Sequence, residues 1–227
     1  MIFGKQPVLY AIERHSDMIE TLFVAKELDK KLFNRLKSAK KPIEVLDFKK
    51  AQALSRGQNH QGMLAKIRAI SFASDEIAFK TPFALICVGL TDTGNLGAIT
   101  RTAYALGVGA IVICGVNGVN LEALIRTSSG AALDMPIALM PNTPQTLERF
   151  RQKGFFLIGG TLDGISLRDY KRREGKKALV LGAEGNGLNA RSQSKLDLRL
   201  RIDMAHNFDS LNVSAAAAIL IERIREQ

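Results

Sequence analysis

The sequence predicts an α/β protein in two parts: a small N-terminal α/β unit, then a larger domain built on a parallel sheet with helices on both faces. Three observations predict it. Short apolar runs of strand length alternate with segments of helical periodicity, as a buried parallel sheet requires. The patterning breaks over residues 71–80, where the composition turns mixed and polar. Glycines and small polar residues follow the later strands, at the strand ends where open α/β sheets bind their ligands.

In the first part the pattern reads as a helix over Pro7–Glu13, a strand over Thr21–Ala25, a helix over Lys30–Ala39, a strand over Ile43–Leu46 and a helix over Asp47–Leu54. A polar loop, Gln58–Gly62, leads into a strand-like run at Met63–Ile67. The expected domains are therefore 1–70 and 81–227, with 71–80 as linker. In the second domain, strands at Phe83–Gly89, Ala110–Ile113, Ile137–Leu139, Phe155–Gly159 and Ala178–Leu181 alternate with helices at Leu96–Leu106, Glu122–Ile125 and Gln145–Lys153. A closing helix at Asn212–Arg225 places Val213, Ala217, Leu220, Ile221 and Ile224 on one buried face.

With 227 residues, 46% of them hydrophobic, the chain has apolar content enough for real cores without covalent staples. Its net charge is +10, and the surplus is denser at the start, where residues 1–80 carry 15 Lys and Arg against 9 Asp and Glu. A polyanion is the natural partner. Cys87 and Cys114 sit inside strand-like runs and read as buried thiols; His15, His60 and His206 are scattered, and neither HExxH nor CxxC occurs, so no metal site is expected. No signal-peptide pattern opens the chain and no apolar run approaches ~18 residues, so it reads as a cytoplasmic protein without a membrane span.

Three segments carry candidate chemistry. In Asp92–Ala103, Asn95 stands where an N-cap is needed, Gly107 where the helix stops, and Arg101 off the buried stripe, either solvated or able to grip a phosphate bidentately. The loop Gly182–Gly187 follows a strand, but its order is G-x-x-G-x-G rather than the dinucleotide fingerprint G-x-G-x-x-G, which argues against a nicotinamide-dependent oxidoreductase. Glu184 within it is either a solvated loop carboxylate or a group that orients an arginine or a ribose hydroxyl. In Asp209–Ser214, Ser210 or Asn212 caps the last helix, and nothing pairs Ser210 with a histidine as a hydrolase would need.

Taken together and in this order, Asn95-Leu96-Gly97 through Arg101-Thr102-Ala103, Leu181 to Leu188, and Ile202-Asp203-Met204 followed by Ser210-Leu211-Asn212-Val213-Ser214 resemble the three motifs of the TrmH (SpoU) branch of the SPOUT class of RNA 2′-O-methyltransferases. The first part is similar to the ribosomal-protein-like RNA-binding domain that precedes the catalytic domain in the RlmB type. The resemblance implies a parallel-sheet SPOUT domain tied in a trefoil knot, a homodimer, and S-adenosyl-L-methionine as methyl donor. By motif position, Gly182, Ile202 and Leu211 would contact the cofactor through backbone, with Thr161, Leu162 and Met204 beside them. Asn95, Arg101, Glu184, Ser210 and Asn212 would surround the target ribose and its phosphate. The implied substrate is a guanosine of 23S ribosomal RNA; the alternatives are a tRNA ribose, or a catalytically silent RNA-binding or ribosome-assembly protein of the same fold. Two positions depart from the family pattern: Thr93-Gly94 instead of a proline before Asn95, and Asp203 where the third motif has proline. Losing that proline loosens the loop and adds an anion, and cofactor affinity is the property it bears on.

Overall fold

The structure is a computed structural model that describes residues 1–183, 185, 187–206 and 209–225. In chain order it runs β1 (Ile2–Phe3), α1 (Lys5–Arg14), β2 (Ile19–Val24), α2 (Lys30–Ser38), β3 (Ile43–Val45), α3 (Phe48–Leu54), β4 (Met63–Ile67) and α4 (Asp75–Lys80). It continues through β5 (Phe83–Val88), α5 (Thr93–Ala105), β6 (Ala110–Cys114), α6 (Leu121–Thr127), β7 (Ile137–Leu139), α7 (Thr143–Gln152) and β8 (Phe156–Ser166). The last elements are β9 (Lys177–Gly182), α8 (Ala190–Gln193), β10 (Leu198–Arg201) and α9 (Val213–Ile224).

The chain divides into two compact units, one of residues 1–71 with 120–134, the other of 72–119 with the remainder from Met135. The first is built on a mixed sheet of order β1-β4-β2-β3, in which β2 and β3 run parallel and the other pairs antiparallel. Leu22 of β2 and Met63 and Ala65 of β4 point into a core closed by Val8 and Leu9 of α1 and Leu36 of α2. Ile125 of α6 joins that core, with Ala132 and Leu133 packed at its margin. Although α6 lies between β6 and β7 in sequence, its apolar face finds its partners here. Asp134, just past it, accepts a hydrogen bond from the Tyr10 hydroxyl and an ion pair from Arg14 at 3.1 Å.

The second unit is a six-stranded sheet of order β10-β8-β9-β5-β6-β7 with every pair parallel, as the sequence predicts. On one face Phe79 of α4, Phe150 of α7 and Phe155 form an edge-to-face trio with centroids 4.9 and 4.8 Å apart. On the other, α9 packs against α5 and β9 through Ala217, Leu220, Ile221 and Ile224, the stripe read from its sequence. The stretch 71–80, expected to be a linker, carries α4: Ala78 and Phe79 are buried, and Asp75 pairs with Arg149 at 2.6 Å. Two buried residues among polar ones were too few to show a helical period.

Two boundaries differ from the sequence reading in ways that matter for the site. Helix α5 starts at Thr93, capped by the Asp92 carboxylate, which accepts from the Asn95 amide at 2.7 Å; Asn95 is thus inside the first turn rather than its cap. Strand β8 continues well past Gly159, because β10 pairs along both its halves, with Leu198 opposite Ile158 and Arg201 opposite Ser166. That pairing is so close that a Cβ on Gly164 would lie 2.4 Å from the Arg199 carbonyl, which only glycine permits. Cys87 and Cys114 are buried strand thiols, and burial pushes Cys114 up to about 11.

Candidate active site

The loops at the carboxyl ends of the parallel strands converge in the second unit. The segment after β5 leads into α5, the segment after β9 is the glycine loop, and the segment after β10 leads into α9. Asn212 is the N-cap of α9: its Oδ1 accepts from the Ser214 amide at 2.9 Å and from the Ser214 hydroxyl at 2.6 Å. Its Nδ2 is left to donate across to Oδ1 of Asn95 at 2.9 Å. Two asparagines 117 positions apart in sequence are thereby joined, tying the first turn of α5 to the start of α9.

The glycine loop is folded back on the end of β9. Gly187 donates its amide to the carbonyl of Ala183 at 2.9 Å, and the two residues form an isolated bridge. A Cβ on Gly182 would lie 2.2 and 2.4 Å from the carbonyl carbon and oxygen of Gly187 and 2.6 Å from the Leu188 amide nitrogen. All three are backbone atoms, so glycine is required at 182 for the loop to close as it does. Glu184 and Asn186 lie outside the described residues.

Thr161 stands on β8, two strands from β5 across β9. Its hydroxyl oxygen is buried with no hydrogen-bond partner among the described residues. Since an unpaired buried hydroxyl is costly, a bound ligand that meets it would gain what the fold alone forgoes. Ile202, Met204 and Leu211 are half-buried in the segment between β10 and α9. Leu162 is 71% exposed, Arg101 is exposed on α5, and Ser210 is exposed just ahead of α9. The loop ends thus hold Asn95 and Asn212 in direct contact, while Arg101, Ser210 and Leu162 face solvent on the single chain.

The anion at Asp203 is compensated. Its carboxylate accepts a hydrogen bond from the Ser166 hydroxyl and another from Arg201 Nε at 3.0 Å, with Arg168 Nε 3.9 Å away. Arg201 also donates through Nη1 to the Gly164 carbonyl at 2.9 Å. The Ser166 hydrogen bond first, then Arg201, holds the Asp203 carboxyl below its usual range. Without proline, a side-chain clamp fixes the start of this segment to the end of β8. Sequence reasoning missed this clamp because Ser166 and Arg201 lie in a strand extension and a strand it did not assign.

Among the described residues no group of three or more His, Cys, Asp or Glu could hold a metal ion, and no helix is long and apolar enough to cross a membrane. Paired asparagines at two helix starts, a tightly closed glycine loop and an orphaned hydroxyl are groups that can position a polar ligand rather than supply a nucleophile.

Comparison with known proteins follows the same lines. Over 240 aligned residues the chain is 32% identical to the 23S rRNA (guanosine-2′-O-)-methyltransferase RlmB of Shewanella oneidensis, covering all of this chain and 97% of that one. The crystal structure of an RNA 2′-O ribose methyltransferase superposes with a TM-score of 0.79 at 25% identity, covering 98% of this chain and 86% of that one. The SpoU methyltransferase AviRb of Streptomyces viridochromogenes, in complex with the cofactor AdoMet, gives a TM-score of 0.79 at 22% identity, covering 98% and 87%. Residues 1–73 match the family model for RNA 2′-O ribose methyltransferase substrate binding. With residues 82–222 matching the SpoU rRNA methylase family, which accounts for the converging motifs and the parallel sheet that carries them, the chain belongs to that family.

Proposed function

We propose that this protein methylates the ribose 2′-hydroxyl of a guanosine in 23S ribosomal RNA, using S-adenosyl-L-methionine. The observation that carries the reading is the Asn95–Asn212 hydrogen bond, which brings the first and third motifs together at the strand ends. The residues present fit the cofactor: Thr161 offers an unsatisfied buried hydroxyl, and Gly182 lets the glycine loop close backbone to backbone on the end of β9, where a side chain would collide with it. In this reading Gly182, Ile202 and Leu211 hold it by main-chain groups, with Thr161, Met204 and Leu162 around it. When bound, it supplies an electrophilic sulfonium methyl.

The chain's task is then positioning. Arg101 grips the phosphate beside the target ribose and steadies charge as it develops on the 2′-oxygen. A guanidinium holds its proton too tightly to act as a base, so the 2′-proton passes to a phosphate oxygen or to water. Asn95 and Asn212 present amide groups that orient the ribose, and Ser210 and Glu184 complete its surroundings. Holding oxygen and methyl carbon in line at roughly 3 Å supplies much of the rate. Because Arg101 and Ser210 are exposed on the single chain, the proposal includes a homodimer whose second copy closes the site, and a trefoil knot formed by the segments after β9 and β10. A tRNA ribose is the runner-up substrate. A silent RNA-binding role is less favoured, since the Asp203 charge is already met by Ser166 and Arg201. Transfer of labelled methyl to 23S rRNA, with the product ribose resistant to alkaline cleavage, tests the reading; RNA binding without transfer overturns it.

A further inference from the structure

The first unit carries a feature that composition hides. Phe48 is 67% exposed, and by residue exposure it is the one exposed aromatic among the described residues. Val45, 85% exposed, precedes it at the end of the edge strand β3, and Leu54, 39% exposed, closes the same helix. Scattered apolar residues on a surface need no explanation, but three within ten positions do.

Phe48 is also held. It opens α3 behind Asp47, whose carboxylate accepts from the Lys50 amide at 2.8 Å. On one side its ring meets that of His60, with centroids 5.9 Å apart. His60 is itself buried, and its Nδ1 accepts from the Gly62 amide at 3.0 Å, so the polar loop 58–62 serves as a backing for the phenyl ring. The surroundings are basic. Lys49 and Lys50 follow Phe48 in sequence and are exposed, and the stem of exposed Lys26 lies over Gly62, close enough that a Cβ there would meet its Cγ at 2.2 Å. Lys40 and Lys41 enter β3 from its other end.

An apolar ring with a free face, fixed from behind and fringed by ammonium groups, suits one chemistry. Single-stranded nucleic acid is bound by aromatic side chains that stack on bases together with cations that follow the backbone. A protein partner would match Val45 and Phe48 but offer the lysines nothing, Lys50 having an exposed ion pair to Asp47 at 3.6 Å; an unpaired nucleotide offers a ring to stack on and a phosphate for the cations. We propose that Phe48, backed by His60 and accompanied by Lys26, Lys49 and Lys50, stacks on one unpaired base of the RNA substrate and so anchors it on the first unit. This rests on the proposed RNA-methylating function and adds where the first unit grips the RNA. Because the ring is already ordered, little side-chain entropy is lost on stacking.

The test measures binding of a 23S rRNA transcript to the full chain by filter retention, alongside methyl transfer at saturating RNA. Phe48→Ala is expected to weaken RNA binding by roughly tenfold or more, with methyl transfer at saturation unchanged. Phe48→Trp restores the affinity, which a merely structural role would not permit. The double substitution Lys49→Gln with Lys50→Gln lowers the slope of log affinity against log salt by about 1–2. Equal RNA affinity of Phe48→Ala and the parent, when the parent binds and methylates, overturns the platform alone. A parent that neither binds nor methylates ribosomal RNA overturns the function and the platform with it.

Discussion

Gly182 offers the sharpest perturbation of the proposed cofactor pocket. Its missing Cβ would lie 2.2, 2.4 and 2.6 Å from backbone atoms of Gly187 and Leu188, whereas ordinary contact begins at 3.4 Å. Gly182→Ala therefore requires the glycine loop to retreat by about 1 Å, since no flexible side chain can yield instead. Overpacking of this kind costs about 1–3 kcal/mol, which at about 1.4 kcal/mol per tenfold is roughly a fivefold to hundredfold loss in whatever equilibrium needs the closed loop. If that loop lines the cofactor, the loss appears in affinity for S-adenosyl-L-methionine, read by titration calorimetry. The thermal midpoint checks how much of the strain is relaxed in the free protein. Gly118→Ala is the control, because a Cβ there meets nothing within 4 Å. A Gly182→Ala protein that binds the cofactor as the parent does, with an unchanged midpoint, would mean that the closed loop contributes neither to the cofactor site nor to the fold.

Arg101→Lys keeps the charge and loses the planar fork; it is expected to lower kcat/KM on RNA by about a hundredfold if a phosphate is gripped bidentately, with cofactor affinity unchanged in calorimetry. Asp203→Ala removes the clamp on the segment after β10 and is expected to weaken cofactor binding several-fold. The sign of its pH dependence is fixed by the lowered carboxyl: a group depressed in the folded state stabilises above its unfolded value and loses that contribution as pH falls through the folded one, so between pH 6 and 8 the clamp contributes a constant amount and only acidification releases it. Phe79→Ala breaks the aromatic trio behind the sheet and is expected to destabilise by about 3–5 kcal/mol, read as a lowered midpoint in urea; a shift under about 1 kcal/mol would place α4 outside the second unit's core.

The parallel sheet was legible because its strands are short apolar runs, and α9 because its stripe repeats at helical spacing. The limits of legibility have physical causes. Helix α4 buries only Ala78 and Phe79, too little for a period. Strand β10 reads Leu198-Arg199-Leu200-Arg201, half of it solvent-facing on a sheet edge, and the far half of β8 is polar because it pairs with β10 beyond the sheet's core. The segment 120–134 packs with the first unit through contacts no local pattern announces. At the site, the motif residues were named from resemblance, but the Asn95–Asn212 contact and the Ser166–Asp203–Arg201 clamp are properties of the folded chain. Asn95 lies within the first turn of α5 rather than at its cap because Asp92 to Gly94, polar or glycine residues, start the helix ahead of its apolar period.

The most direct test is methyl transfer itself. Purified protein is incubated with methyl-labelled S-adenosyl-L-methionine and an unmodified 23S rRNA transcript, and alkaline hydrolysis then locates any protected ribose. Label is expected at the 2′-oxygen of a guanosine, abolished by Arg101→Ala and weakened by Gly182→Ala. Label on a base, or stable RNA binding with no label transferred, would contradict the proposed function.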